Sequence, residues 1–287
     1  MRRTIGRWQL DSKKTQVGNS VSVRMDGMIS PRVTDRKGAK AEVPEYMKAD
    51  NQGNTPENVE LFNSAVAGSV HRVRTAIAKG GKVNYFHRPE DQKNALHIAS
   101  ECGHKGVVSL LLDNEAVVDS RVGSTKDTAL ILACQHGQVD IAEMLLGKGA
   151  DVNLTNCYGN SALHESARHG DTDLTRLLIS EGSIVNTSNN KGSTPLHMFS
   201  YSDAKTTAVA SILLDAGAAI DARDARGMTP MLAAVMSGKI DYVLFFEDEG
   251  ADMTAIDAEG YDALAIAKFN KHETLVKMFS SKSTGSK

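Results

Sequence analysis

Apolar positions in this chain recur in blocks. In NALHIASECGHKGVVSLLL, which starts at Asn94, they fall at helical spacing on two short segments separated by Cys-Gly-His. The arrangement returns in TALILACQHGQVDIAEMLL from Thr128, SALHESARHGDTDLTRLLI from Ser161, TPLHMFSYSDAKTTAVASILL from Thr194, TPMLAAVMSGKIDYVLFFE from Thr229 and DALAIAKFNKHETLVKMF from Asp262. These starts lie 34, 33, 33, 35 and 33 residues apart. An earlier block, VELFNSAVAGSVHRVRTAI from Val59, keeps the pattern without a Thr-Pro opening. A fixed period of this size marks a repeat architecture.

Each block predicts two helices and a turn. Asn94, Thr128, Ser161, Thr194, Thr229 and Asp262 are good helix N-caps. Pro195 and Pro230 follow where a missing N–H costs nothing. Leu96, Leu130, Leu163, Leu196, Met231 and Leu264 point inward, and Ala99, Ala133, Ala162 and Ala234 let helices approach closely. Gly68, Gly103, Gly137, Gly170 and Gly238 mark the turn between the helices. Leu111/Leu112, Leu145/Leu146, Leu177/Leu178 and Leu213/Leu214 form the seam of the second helix. A Gly then stops that helix, and GADVN at Gly149, GSIVN at Gly182, GAAID at Gly217 and GADMT at Gly250 open short extended hairpins. Helices of about seven to ten residues do not persist alone in water. Each unit must hide its apolar faces against its neighbours, which is the logic of a solenoid.

The Thr-Pro-Leu-His opening and its period resemble the ankyrin-repeat family. The resemblance covers about seven units over residues 58–280, the outer two degenerate. It implies an all-α ankyrin solenoid of stacked helix-turn-helix units joined by short β-hairpin loops. It implies no catalysis, no cofactor and no metal, and a concave surface that grips a protein. It also implies that His97, His164 and His197 bridge backbone groups of adjacent repeats. Asn153 and Asn186 stand where such proteins can be hydroxylated by an asparaginyl hydroxylase, and they also fall in N-x-S/T sequons.

The stretch SALHESARHG superficially resembles a zinc-protease helix. Its histidines, His164 and His169, are five residues apart. That spacing sets them about 140° apart around a helix, so they cannot share one ion. The chain also lacks a phosphate-binding G-x-x-x-x-G-K-[S/T], a C-x-x-C and a G-x-S-x-G. Cys134 reads as a core residue.

Candidate partner-binding residues come from hairpin tips and exposed inner-helix positions. The enlarged first hairpin, NYFHRPEDQK, carries Tyr85, Phe86 and Arg88, which form either a hot spot or a cap over the N-terminal repeat. The next hairpins offer Arg121 and Lys126, then Tyr158, and later Arg223 and Arg226. Inner-helix candidates are His136, Arg168, His169, Met236 and Phe269. The Thr194 unit has two extra residues and no inter-helix Gly, so Tyr201 is expected on a lengthened loop.

Charge changes the picture at the N-terminus. Residues 1–40 hold ten Lys/Arg and three Asp/Glu, a balance of +7, while the rest holds 23 against 32, a balance of −9. Residues 1–57 read as a basic arm without its own core, with Arg2, Arg3, Arg7 and Trp8 as its anchors; residues 281–287 read as a tail. Such an arm suits an acidic protein surface such as tubulin tails, with nucleic acid or an anionic membrane surface as alternatives. Nucleic acid fits poorly, because the acidic remainder repels phosphates. No apolar run reaches the 18 or so residues that cross a bilayer. The three cysteines and the absence of an apolar leader core suggest a cytoplasmic protein, with cytoskeletal association or the nucleus as alternatives and mitochondria less favoured.

Overall fold

The computed structural model describes residues 54–87 and 92–284, so the expectations for residues 1–53, including Arg2, Arg3, Arg7 and Trp8, and for Arg88 lie outside the described residues. The chain divides into Met1–Pro44 and Glu45–Lys287, and the description below concerns the second unit.

The described residues form seven helix pairs. The first helices are α1 (Pro56–Val66), α3 (Ala95–Glu101), α5 (Ala129–Gln135), α7 (Ala162–His169), α9 (Pro195–Ser200), α11 (Pro230–Met236) and α13 (Ala263–Phe269). The second helices are α2 (Val70–Ala78), α4 (Lys105–Asp113), α6 (Val139–Gly147), α8 (Thr172–Ser180), α10 (Ala208–Asp215), α12 (Ile240–Asp248) and α14 (Glu273–Thr284). The first helices stack in chain order from α1 to α13, and the second helices stack from α2 to α10. Each first helix also packs on the second helix of its own repeat. The core therefore lies between two helical layers and runs the length of the stack.

The buried columns follow the repeat. Leu96, Leu130, Leu163, Leu196 and Met231 are buried, and so are Leu111, Leu145, Leu178, Leu213 and Phe246 on the second helices. Leu264 is only half-buried, since no repeat follows α13 among the described residues. Ala162 does not serve as the small contact residue of its repeat. It is the first residue of α7, and the position matching Ala99 is Ser166 there and Phe199 in the next repeat.

The irregular fifth repeat buries Phe199 where other repeats carry a small residue. A buried ring in a small-residue position needs extra room, and it stacks on Tyr242 with centroids 4.4 Å apart. The Tyr242 hydroxyl donates to the Ala204 carbonyl at 2.7 Å, and Lys239 pairs with Asp203 at 2.6 Å. The two extra residues are thus held against α12. Tyr201 is not displayed on the lengthened loop: it is the half-buried C-cap of α9.

Polar ties fix the register between repeats. In each His repeat the ring Nδ1 accepts the N–H of the helix N-cap, from Asn94 at 3.2 Å, Ser161 at 3.1 Å and Thr194 at 3.2 Å. The proton must then sit on Nε2, which donates to the next repeat: to Ser120 O at 2.8 Å, Ser193 O at 3.0 Å and Met228 O at 2.9 Å. The bridging role implied for His97, His164 and His197 is therefore what the structure shows. Burial, the largest influence, lowers the pKa of all three, that of His97 to about 4.

The hairpins are zipped to one another by backbone bonds. Cys157 N–H donates to Thr125 O, Asn190 to Tyr158 O, Ala225 to Lys191 O and Ala258 to Arg226 O, all at 2.7–3.0 Å. At the hairpin bases Asn84, Asn153 and Asn186 donate to Glu115 O, Gly182 O and Gly217 O and accept from Val117, Ile184 and Ala219 N–H. The expected extended hairpins reduce to single bridges, His87 with Lys93, Thr155 with Ser161 and Ile256 with Asp262. Each hairpin keeps a backbone bond across its own arms, such as Asn156 N–H to Asn160 O and Asp224 N–H to Met228 O, and makes further bonds to the neighbouring repeat.

Candidate functional site

The hairpin side of the stack, where half-buried and exposed side chains are interspersed, can be read by offset from each helix N-cap. Seven residues after the cap, in the last turn of the first helix or at its C-cap, stand Glu101, Gln135, Arg168, Tyr201, Met236 and Phe269. Three residues before the cap, on the hairpins, stand Thr125, Tyr158, Lys191, Arg226 and Glu259. Side-chain contacts join hairpin and helix along the stack. Lys93 pairs with Glu101 at 2.6 Å, Asn160 donates to Glu165 at 2.8 Å, and Arg226 donates to the Tyr201 hydroxyl at 2.7 Å. Arg226 Nη1 also lies 3.9 Å from the Met236 sulfur. Hairpins and first-helix ends are therefore two walls of one surface.

The carboxylates beneath that surface were not singled out by the sequence. Glu165 is 3% exposed, pairs with Arg168 at 3.0 Å and accepts from Asn160. Asp224 is buried, accepts the N–H groups of Arg226 and Met228, and takes the Arg226 guanidinium through Nε and Nη2. Asp127 is buried and accepts from Asn156 at 3.0 Å. These acids organise the hairpins from below while Arg168, Lys191 and Arg226 remain exposed above them. Burial raises the Tyr201 pKa, which keeps its phenol neutral. For Arg226, burial opposes the charge, but Tyr201 and Asp224 outweigh it and raise the pKa. The fixed offset of three residues before each N-cap is the signal that would have found Lys191 and Glu259.

The structure brings some expected residues together and separates others. Tyr201, Arg226 and Met236 form one contact cluster. In the preceding repeat, Arg168 pairs with Glu165 of its own helix, and His169 lies exposed beside it. Tyr158 is 62% exposed and Phe269 87% exposed. Arg121 and Lys126 are exposed on the second hairpin. His136 is exposed, but its Nδ1 bonds Leu132 O of its own helix at 2.9 Å. Arg223 is a structural tie: its Nη1 donates to Gly227 O at 3.0 Å and Ile256 O at 2.6 Å, joining successive hairpins. Tyr85 bonds Asn54 at 3.0 Å, and the neighbouring His87 stacks on Phe62 of α1, so Tyr85 belongs to a covering of the first repeat while Phe86 stays partly exposed.

Among the described residues there is no group of three or more His, Cys, Asp or Glu placed to hold a metal ion, and no helix long and apolar enough to cross a membrane. Cys134 is wholly buried and its thiol pKa is raised by that burial.

A family model described as ankyrin repeats (3 copies) matches residues 61–156 and 148–224, more than half of the chain. The chain is 36% identical over 111 residues to the ankyrin repeat and KH domain-containing protein mask-1 of Caenorhabditis elegans, covering 37% of this chain and 4% of that protein. It is 33% identical over 101 residues to the BRCA1-associated RING domain protein 1 of the same organism, covering 35% and 14%. A putative ankyrin repeat protein of fowlpox virus, FPV031, is 34% identical over 33% of this chain and 28% of its own length. The chain thus spans less than a third of the length of each of these relatives. The crystal structure of the human ASB11 ankyrin repeat domain superposes with a TM-score of 0.65 at 27% identity, covering 72% of this chain and 90% of that one. The family match, the neighbouring structure and the His-bridged helix pairs agree: this chain belongs to the ankyrin-repeat family, whose repeats are protein-interaction modules.

Proposed function

We propose that this protein is a non-catalytic scaffold that holds a partner protein along the surface between hairpin tips and first-helix ends. The observation that carries this reading is the pair of partly exposed columns, joined by Arg226 to Tyr201 and Met236, in a chain whose recurring repeat residues are otherwise used to hold repeats together. Side chains in the columns differ from repeat to repeat, as expected where a surface is shaped for one partner on a common frame. Residues 1–40, with their balance of +7, are suited to tether a second, acidic protein surface. An association with cytoskeletal filaments falls within this reading, and a cytoplasmic location suits it.

Photo-crosslinking residues placed at Tyr158 and Arg226, and as a control at Arg176 on α8, test the main reading in cells. A discrete protein adduct from the first two sites and none from the third is expected. Adducts from Arg176 alone, or from none of the three, refute it. The tether is tested by removing residues 1–40: an acidic partner should be lost and the Tyr158 adduct retained.

A further inference from the structure

The first-helix column is chemically graded. Glu101, Gln135 and Arg168 make its N-terminal half polar, whereas Tyr201, Met236 and Phe269 make its C-terminal half apolar. Phe269, 87% exposed, is the most exposed of the large hydrophobic residues described, and Tyr261 and Ile256 on the adjoining hairpin are about half exposed, at 51% and 49%. Apolar groups clustered in this way mark an interaction site rather than ordinary surface. Phe269 occupies in its repeat the position of Met236, and Glu259 that of Arg226, because the caps Asp262 and Thr229 are each bonded to the third residue of their helices.

Resting on the scaffold reading, we propose that Tyr201, Met236 and Phe269 receive one amphipathic α-helix of the partner, with acidic residues along the flank that faces the hairpins. Spacing selects a helix. Stacked helices lie about 8–10 Å apart, so the three side chains repeat at that interval. Positions seven apart on a helix are about 10.5 Å apart on nearly the same face. An extended segment turns alternate side chains away and does not match the interval with one face. Charge selects the flank. Lys191 and Arg226 are exposed on the hairpin wall beside Tyr201 and Met236, and Asp224, the acid that pairs with Arg226, is buried beneath. Exposed Glu259 holds the matching position beside Phe269, so the acidic flank is the part of the helix that faces Lys191 and Arg226. Arg226 gives Nε and Nη2 to Asp224 and Tyr201, while Nη1 is left facing the Met236 sulfur, open to a carboxylate.

The test uses the full chain and a fluorescent peptide of about three heptads, with Leu at one heptad position and Glu on the flanks. A second peptide carries Lys in place of Glu. Anisotropy titration should show saturable binding of the Glu peptide, at least about ten-fold tighter than the Lys peptide. Phe269→Ala and Met236→Ala should each weaken it about five- to ten-fold. Glu101→Ala and Gln135→Ala should change it less than about two-fold. Lys191→Glu should narrow the preference for the Glu peptide. No saturation up to about 1 mM, equal binding of both peptides, or losses shared evenly by the Glu101 and Gln135 variants would each overturn the proposal. A dimer of the chain that dissolves on Phe269→Ala would also overturn it, in favour of a second copy as occupant. If a protein adduct forms at Tyr158 while the peptide fails, the scaffold reading stands and the helical, acidic partner does not.

Discussion

His97 offers a direct test of how the repeats are held together. Its Nδ1 accepts the Asn94 N–H and its Nε2 donates to Ser120 O. Protonation would place a donor at Nδ1 against another donor, in a site where burial already disfavours charge. Lys93 adds to the lowering, while Asp127, Glu101 and the bond to Ser120 O oppose it. The net result is a pKa lowered from 6.5 to about 4. Because the native value lies below the unfolded one, the stabilisation is present above pH 6.5 and is lost as pH falls towards 4. The whole gap corresponds to about 3.4 kcal/mol, and about 2 kcal/mol of it is expressed between pH 7 and pH 5. Urea denaturation followed by circular dichroism at those two pH values measures this loss. His97→Leu is the informative variant, since Ile131 and Leu232 occupy the same position in other repeats. It should be less stable at pH 7, having lost both bonds, but its stability should fall by about 2 kcal/mol less than the parent's on acidification. Subtracting the two slopes removes the contribution of the carboxylates common to both proteins. An unchanged slope in His97→Leu would refute the assignment of a neutral, Nε2-protonated bridge.

Three further outcomes follow from the same contacts. Arg168→Ala leaves the buried Glu165 carboxylate without its ion pair and should cost about 1–3 kcal/mol in urea denaturation, and adding Glu165→Gln should recover part of that loss. Gly192→Ala should destabilise by about 1–3 kcal/mol in the same assay, because φ is +73° and an added Cβ would lie 2.7 Å from the Ala225 nitrogen that bonds Lys191 O. In a thiol-labelling time course the exposed Cys102 should react in the native protein, while the wholly buried Cys134 should react only on unfolding.

The period of the apolar blocks, the N-caps and the inter-helix glycines made the helix pairs legible, since each of these features acts within one repeat. The inter-helix glycines do adopt the left-handed conformation expected of them, from Gly68 at +67° to Gly238 at +70°. The bridging histidines were legible only through family resemblance, because their acceptors lie 23 to 31 residues away in the next repeat. Tyr201 and Arg226 were both visible as candidates, but nothing local shows that they touch across 25 residues of chain.

Sequence by itself determined that this is a stack of helix pairs, because helix spacing, caps and turn glycines are properties of neighbouring residues. Tertiary structure alone decided which polar groups are ties and which are surface. Arg223 became a tie between hairpins, Arg226 an exposed group over a buried Asp224 and against Tyr201, and Phe199 a buried ring stacked on Tyr242 of the next repeat. The reason is distance along the chain: Arg223 reaches Ile256, Arg226 reaches Tyr201 and Phe199 reaches Tyr242, partners in a neighbouring repeat that come close only when one repeat packs against the next.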